Sequence, residues 1–509
     1  MRILLSLALL LSLFSFPASA QDTIRPEWVL RRSSPVPNGN AEAWGIAADG
    51  TGNLYWSTNQ DGSGFLDGLD AVTYKLDADG DELWPAPNTY KGQFAQQIYA
   101  ADVAGDTLII CGRNCRSNSV NLELCDMLII AIDISTGDTL WTSIWDRGYG
   151  YEEADGIAVV HDGIYITGWS DGGATNWDAG IVKLGRDGKI LWSNAWGSSN
   201  NDHQDGHIVM DDTVIYGAGL YNGGISTVIV LRGYDGQSML AKFSRTDGSY
   251  MEHTTFGRND SWLNFENALG MTSDGEFLYV VGNTTVAPND NQLFIRKFDK
   301  NLHQIWETFW GGPGTETARS IAVAPDGMIY VGASTNTYGA GDYDGAILRI
   351  TPDGSILSFR TWGGAGNDQI YDLILHNGFL YATGRTQSFH PQGKGEGFLF
   401  KAGADGIAGI SSDDIDDISR SPSLSGNHPD PFTTSTSITF TVHLPGYVRL
   451  SIHDMLGREA ATLLARHLEP GTYTLPWHAA GYPAGRYLCR LVADGKAATD
   501  ALALEPGGF

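Results

Sequence analysis

The chain has 509 residues, with 32 Lys and Arg against 59 Asp and Glu, a formal charge of −27, and 64 glycines. Aromatic residues at 11%, with 15 tryptophans among them, exclude a disordered chain, because that much apolar surface collapses into cores. The acid excess excludes nucleic acid and anionic membrane surfaces as partners, since both are held through Lys and Arg.

In chain order, residues 1–20 form a secretory signal: Arg2 supplies the positive start, Ile3 to Phe16 the apolar run, and Ala18-Ser19-Ala20 the cleavage site. The mature chain is then expected to begin at Gln21. A membrane span needs about 20 apolar residues, and no such run follows, so the protein is expected to be secreted or on the outer cell surface, reached through the periplasm, and not transmembrane. Four cysteines accompany it. Cys115 and Cys125 flank a short loop that an oxidising compartment closes as a disulfide, for about 2 to 3 kcal/mol of loop entropy. Cys111 and Cys489 sit in apolar strand patterns and are expected as buried thiols.

From residue 41 onward one pattern recurs: an apolar strand, a Gly turn, a strand centred on Tyr, a variable loop, a strand ending in Lys, a second Gly turn, then Leu-Trp. The Tyr column runs Tyr55, Ile109, Tyr165, Tyr216, Tyr279, Tyr330, Tyr381. Seven repeats of about 54 residues with four strand signals each predict an all-β fold, a seven-bladed β-propeller over residues 21–410. The Trp column (Trp84, Trp141, Trp192, Met251, Trp306, Ser358) has no seventh member after residue 403. Trp28 lies one period before Trp84, so the N-terminal strand is expected to complete the seventh blade; the alternative is that Ile407 to Ile410 fills the place. These columns, as in Ile321-Ala322-Val323, Ile329-Tyr330-Val331 and Trp362-Gly363-Gly364-Ala365-Gly366, resemble the SBBP family of bacterial propeller repeats. The resemblance implies the fold and leaves the function open.

Residues 411–426 are an acidic, Ser-containing linker. Beyond it the apolar residues alternate: Ile438, Phe440 and Val442 share a face, as do Val448, Leu450 and Ile452, then Tyr473, Leu475 and Trp477, then Tyr487, Cys489 and Leu491. Short alternating strands predict a small antiparallel sandwich over 427–509. Pro429-Asp430-Pro431-Phe432, Leu456-Gly457-Arg458-Glu459 and Gly485-Arg486-Tyr487 resemble the type IX secretion C-terminal sorting domain, an Ig-like fold with FlgD-like relatives. That resemblance implies the type IX secretion machinery as a partner. The alternative is an ordinary accessory sandwich.

No catalytic motif is present and no cofactor or metal is implied. Asp77-Ala78-Asp79-Gly80-Asp81 falls where the other repeats have hairpin turns and lacks the distal Glu of a calcium loop. Asp202-His203-Gln204-Asp205-Gly206-His207 has zinc-compatible side chains but no fourth ligand, and a solvated loop explains it. An acid column (Glu42, Gln97, Glu153, Asp202, Glu266, Glu316, Asp368) and a basic column (Lys75, Ala131, Lys183, Lys242, Lys297, Arg349, Lys401) suggest one ion pair within each blade except the second, which lacks both charges. The long variable loops all emerge on one face and carry Trp169, Trp177, Tyr221, Trp262 and Tyr343 beside Asn and Asp, which suits an extracellular glycan or protein ligand. The expectation is therefore a binding protein. A hydrolase or lyase using funnel acids such as Asp202 or Asp368, and a surface-layer component, are the alternatives.

Overall fold

The computed structural model describes residues 23–36, 39–61, 69–91, 94–116, 124–148, 150–171, 177–198, 201–204, 206–223, 236–257, 265–287, 290–403, 423–429, 431–442, 446–454, 458–468, 471–493 and 496–505. The segment expected as a secretory signal and Trp262 lie outside them. Every named element is a β-strand, paired antiparallel, and the chain divides into two compact units, Met1–Gly409 and Ile410–Phe509.

The first unit contains seven sheets among the described residues. Sheets one to six are built from consecutive strands within residues 41–90, 96–145, 152–196, 201–256, 266–310 and 316–362. Sheet seven takes three strands from residues 368–403 and its outermost strand from the other end of the chain: Trp28–Arg32 pairs with Glu396–Gly403, Trp28 opposite Lys401 and Arg32 opposite Gly397. The first strand of each sheet packs across the preceding sheet, and that of sheet one packs on sheet seven, so the succession is closed. The cores lie between sheets. Trp56 and Leu54 of sheet one are buried with Tyr381 and Leu399 of sheet seven, and the Trp56 indole N–H donates to Thr383 Oγ1 at 2.8 Å across that join.

The Trp column is an inter-sheet latch. Trp28, Trp84, Trp141 and Trp306 each donate their indole N–H to a backbone carbonyl in the next sheet's outer turn, those of Ala78, Ile134, Arg186 and Pro352. Each ring lies over that turn's glycine: a Cβ on Gly137, Gly188 or Gly354 would stand 2.9, 2.6 or 2.9 Å from the Trp ring. Asp77-Ala78-Asp79-Gly80-Asp81 is one of these turns, its Asp77 carboxylate accepting the Asp79 and Asp81 N–H groups.

The acid and basic columns do not pair. Acids open the first strand and bases close the third, and these strands run the same way, so about six residues at 3.3 Å each separate the two levels. The bases instead serve the hairpin turns at their own end of the sheets, or the neighbouring fourth strand. Lys75 donates to Ile134 O, Lys183 pairs with Asp162 at 3.0 Å, Lys242 with Glu252 at 2.7 Å, and Lys401 donates to Ala78 O. The Tyr column meets them there: Tyr55, Tyr165, Tyr216 and Tyr279 donate to Asp49, Asp162, Asp211 and Asp274.

The second unit has a three-stranded sheet (Ser423–His428, Ser435–Val442, Gly471–His478) and a four-stranded one (Gly446–Asp454, Glu459–Leu468, Gly485–Ala493, Lys496–Leu504). Ile438, Phe440 and Trp477 of the first share a core with Leu450, Ile452, Cys489 and Leu491 of the second. Its first strand starts at Ser423, inside the segment expected as linker.

Candidate functional site

The acid column of the sequence resolves into two columns one residue apart, facing opposite ways. Glu152, Asp202, Glu266, Glu316 and Asp368 are buried within the sheets. Asp202, Glu316 and Asp368 accept the backbone N–H groups of Ser198, Gly312 and Gly364, four residues earlier, and so pin the inter-sheet loops. Asp202 and Asp368, the expected funnel acids of a hydrolase, are thus engaged inside the sheets. Glu42, Gln97 and Glu153 belong to the other column, which opens on the centre of the ring.

That centre is lined through a repeated irregularity. The first strands of sheets one, two, three, five, six and seven each carry a β-bulge, at Ala43/Gly45, Ile98/Ala100, Ala154/Gly156, Ala268/Gly270, Ala318/Ser320 and Ile370/Asp372. The residue skipped by the register turns inward: Trp44, Tyr99, Asp155, Leu269, Arg319 and Tyr371, with Gly206 and His207 in sheet four, line one cavity. A small residue follows most bulges because the next first strand crosses there; a Cβ on Gly45 would lie 3.2 Å from the Ala100 backbone. Trp44 stacks on Tyr371 (centroids 4.1 Å apart, 23° between planes) and meets Tyr99 edge-on at 5.5 Å. Arg319 sits over both Trp44 and Tyr371, at 5.2 and 5.8 Å. His207 Nε2 lies 3.4 Å from Asp372, which also accepts Ser320 Oγ. Burial, with Glu153 beside it, pushes the Tyr99 hydroxyl well above its usual range, and burial pushes Tyr371 up to about 12.

This cavity holds about 70 Å³. A void of about 150 Å³ accepts benzene, so this cavity by itself is smaller than a sugar ring needs. A larger cavity of about 220 Å³ is lined by Asn40, Ala41, Glu42, Asn59, Leu69 and Arg385, where sheets seven and one meet.

The aromatic residues singled out in the sequence are distributed over several sheets. Trp169 and Trp177 come together: Trp169 stacks on Tyr151 at 4.6 Å and 12°, and Trp177 follows at 4.6 Å and 42°, with 37% of its surface exposed. Arg113 lies over Tyr151 at 5.4 Å and pairs with Glu153 at 3.2 Å, and the Tyr151 hydroxyl donates to Glu153. Tyr221 stacks on Trp196 in sheets four and three, beside His253 at 4.8 Å. Tyr343, in sheet six, contributes its carbonyl to the Asp368 N–H. The zinc-compatible segment does not converge as expected: Asp202 turns into the sheet and His207 into the channel, and Asp205 lies outside the described residues. Cys115 and Cys125 form a disulfide, and Cys111 and Cys489 are buried thiols. Beside the disulfide, Asp126, Asp146 and Glu152 form an oxygen-rich cluster with metal-ligand spacing.

Sequence reasoning missed the bulge residues. Their signal was a column that varies while its neighbours repeat, immediately before a small residue.

No family model matches the chain, and no curated protein matches it. Among solved structures it is similar to an α-L-arabinofuranosidase of Fusarium graminearum in complex with an iminosugar inhibitor (10% identity, 76% of this chain and 99% of that chain, TM-score 0.42). It is also similar to a putative 6-phosphogluconolactonase of Bacteroides fragilis (12%, 69% and 91%, 0.40) and a Dyadobacter fermentans protein of unknown function (8%, 74% and 99%, 0.41). Likeness at this level carries no conclusion about the reaction or ligand.

Proposed function

We propose that the chain is an exported seven-bladed β-propeller that captures an extracellular glycan on its long-loop face, and that its C-terminal unit is an Ig-like type IX sorting domain delivering it to the cell surface or medium. The observation that carries the glycan reading is the aromatic step Tyr151, Trp169, Trp177. Stacked rings whose outer member is exposed offer a flat apolar face to the C–H side of a sugar, and Asp171, Asp178, Glu153 and Arg113 around them offer hydrogen bonds to its hydroxyls. The small volume of the central cavity, about 70 Å³, supports a site outside it.

The test is a polysaccharide array with the mature chain, residues 21–509, beside Trp177→Ala. Loss of about tenfold or more in affinity in the variant supports the reading; a wild-type chain that retains no sugar turns the search to protein ligands. Release of reducing ends from a bound polysaccharide would favour the hydrolase, whose acids would then be sought among Glu42, Glu153 and Asp155. For the sorting domain, deletion of residues 423–509 should leave the protein in the periplasm, and a deletion variant still reaching the surface would refute that role.

A further inference from the structure

We infer that Asp126, Asp146 and Glu152 form a calcium site that clamps sheet two to sheet three. Asp126 opens the third strand of sheet two, next to the Cys115–Cys125 disulfide; Asp146 follows that sheet's outermost strand; Glu152 opens the first strand of sheet three. One carboxylate oxygen from each lies within 4.8 Å of the other two. Oxygens that close can share one cation, and three protein carboxylates on one ion suit Ca²⁺ rather than Mg²⁺, which keeps several waters and takes one or two carboxylates. A set made only of carboxylates also disfavours zinc.

Acidic residues crowd many surfaces, so the cluster alone means little. Glu152 is what singles it out. Its side chain is fully buried, and neither carboxylate oxygen has a hydrogen bond of normal geometry, although the Arg147 backbone N–H lies near enough to act on its charge. The same position in sheets four, six and seven is satisfied by loop N–H groups, to Asp202, Glu316 and Asp368. In sheet three the Glu152 carboxylate faces Asp126 and Asp146 instead. The nearby cation is Arg116, 2.7 Å from Asp126 and 3.3 Å from Asp146 on the solvent side. Arg147, from the same loop as Asp146, is turned away to Ser170 and Asp178. Among the described residues, one guanidinium against three carboxylates leaves two negative charges uncompensated, and a divalent cation matches that remainder. A buried carboxylate without a partner is costly, and ligation would remove the cost. Calcium takes six to eight oxygens, so water completes the shell.

The experiment uses the mature chain stripped with a chelator. Tb³⁺ luminescence sensitised by tryptophan, and displacement by Ca²⁺ or Mg²⁺, reads the site directly; melting in each ion reads the clamp. The expected result is one saturable site, displaced by Ca²⁺ at least tenfold more readily than by Mg²⁺, with a Ca²⁺-dependent rise in Tm. Glu152→Gln should abolish both signals, and Asp146→Asn, at an exposed position that does not threaten folding, should weaken binding at least tenfold. Absence of a saturable Tb³⁺ signal, equal displacement by Mg²⁺, or undiminished binding in Asp146→Asn would each overturn the proposal.

Discussion

At Gly188 two constraints coincide: its φ is +78°, and an added Cβ would stand 2.6 Å from the Trp141 ring. Gly378 isolates the first of them, with φ +79° and nothing within 4 Å of the same point. An L-residue in the left-handed region costs about 1 kcal/mol, and displacing a packed ring about 1 to 3 kcal/mol more. Gly188→Ala should therefore destabilise the protein by more than Gly378→Ala in urea unfolding; equal costs would mean that the Trp latch yields freely. Asp162 shows the same economy with charge. Burial acts to raise its pKa, but hydrogen bonds from Arg245, Lys183 and Tyr165 outweigh that and hold the carboxyl well below the usual range. A depressed carboxylate stabilises the fold fully above its unfolded pKa, about 3.9, and loses that contribution as pH falls through the folded value. Asp162→Asn should cost about 1 kcal/mol near neutrality, given that the site is a third exposed. The gap to wild type should narrow below pH 4; a gap constant from pH 7 to pH 2 would show that the charge contributes nothing.

The first strand is the element where sequence and structure part. Its run Gly270-Met271 looks like simple alternation, but the bulge between Ala268 and Gly270 inserts Leu269 toward the channel and puts Met271, 1% exposed, in the core. Met271→Ala should cost about 2 to 5 kcal/mol, and Leu269→Ala distinctly less; the opposite order would reverse the assigned faces. A bulge is hard to read because period-two patterning has no term for an extra residue, so the channel-lining residues Trp44, Tyr99 and Arg319 escaped notice. The mistaken acid–base pairs had a simpler origin, since strand direction already separates the two columns. By contrast, the Tyr and Trp columns were legible because each repeats one contact: Tyr hydroxyl to turn carboxylate, Trp ring to turn glycine. The Cys115–Cys125 bridge was legible too, since a short loop between facing strands leaves few other pairings. The glycan candidates were visible only as residue types. That Trp169 and Trp177 meet while Tyr221 and Tyr343 sit in other sheets depends on side-chain stacking, which no single sequence prints.

On the scale of the whole first unit, stability rests on closure. Each sheet buries its faces only against its neighbours, so a ring lacking one join exposes two faces at once. The ties across the join between sheets seven and one include the Trp28–Arg32 strand on Glu396–Gly403, the Trp28 ring over Gly80, the Lys401 ammonium to Ala78 O bond, and the buried Trp56 to Thr383 hydrogen bond. Only the last two survive removal of the N-terminal strand. Deleting residues 21–32 from the mature chain also leaves Glu396–Gly403 as an unpaired edge, open to pairing with another copy. The deletion should lower Tm by 10 °C or more and promote self-association in size-exclusion chromatography. A synthetic peptide of residues 23–32 added in trans should reverse both effects by occupying the vacant edge. The peptide separates the strand's pairing from a general loss of mass. If the deleted protein melts like the parent, or the peptide has no effect, the ring is held by the remaining inter-sheet packing and the terminal strand is an accessory to it.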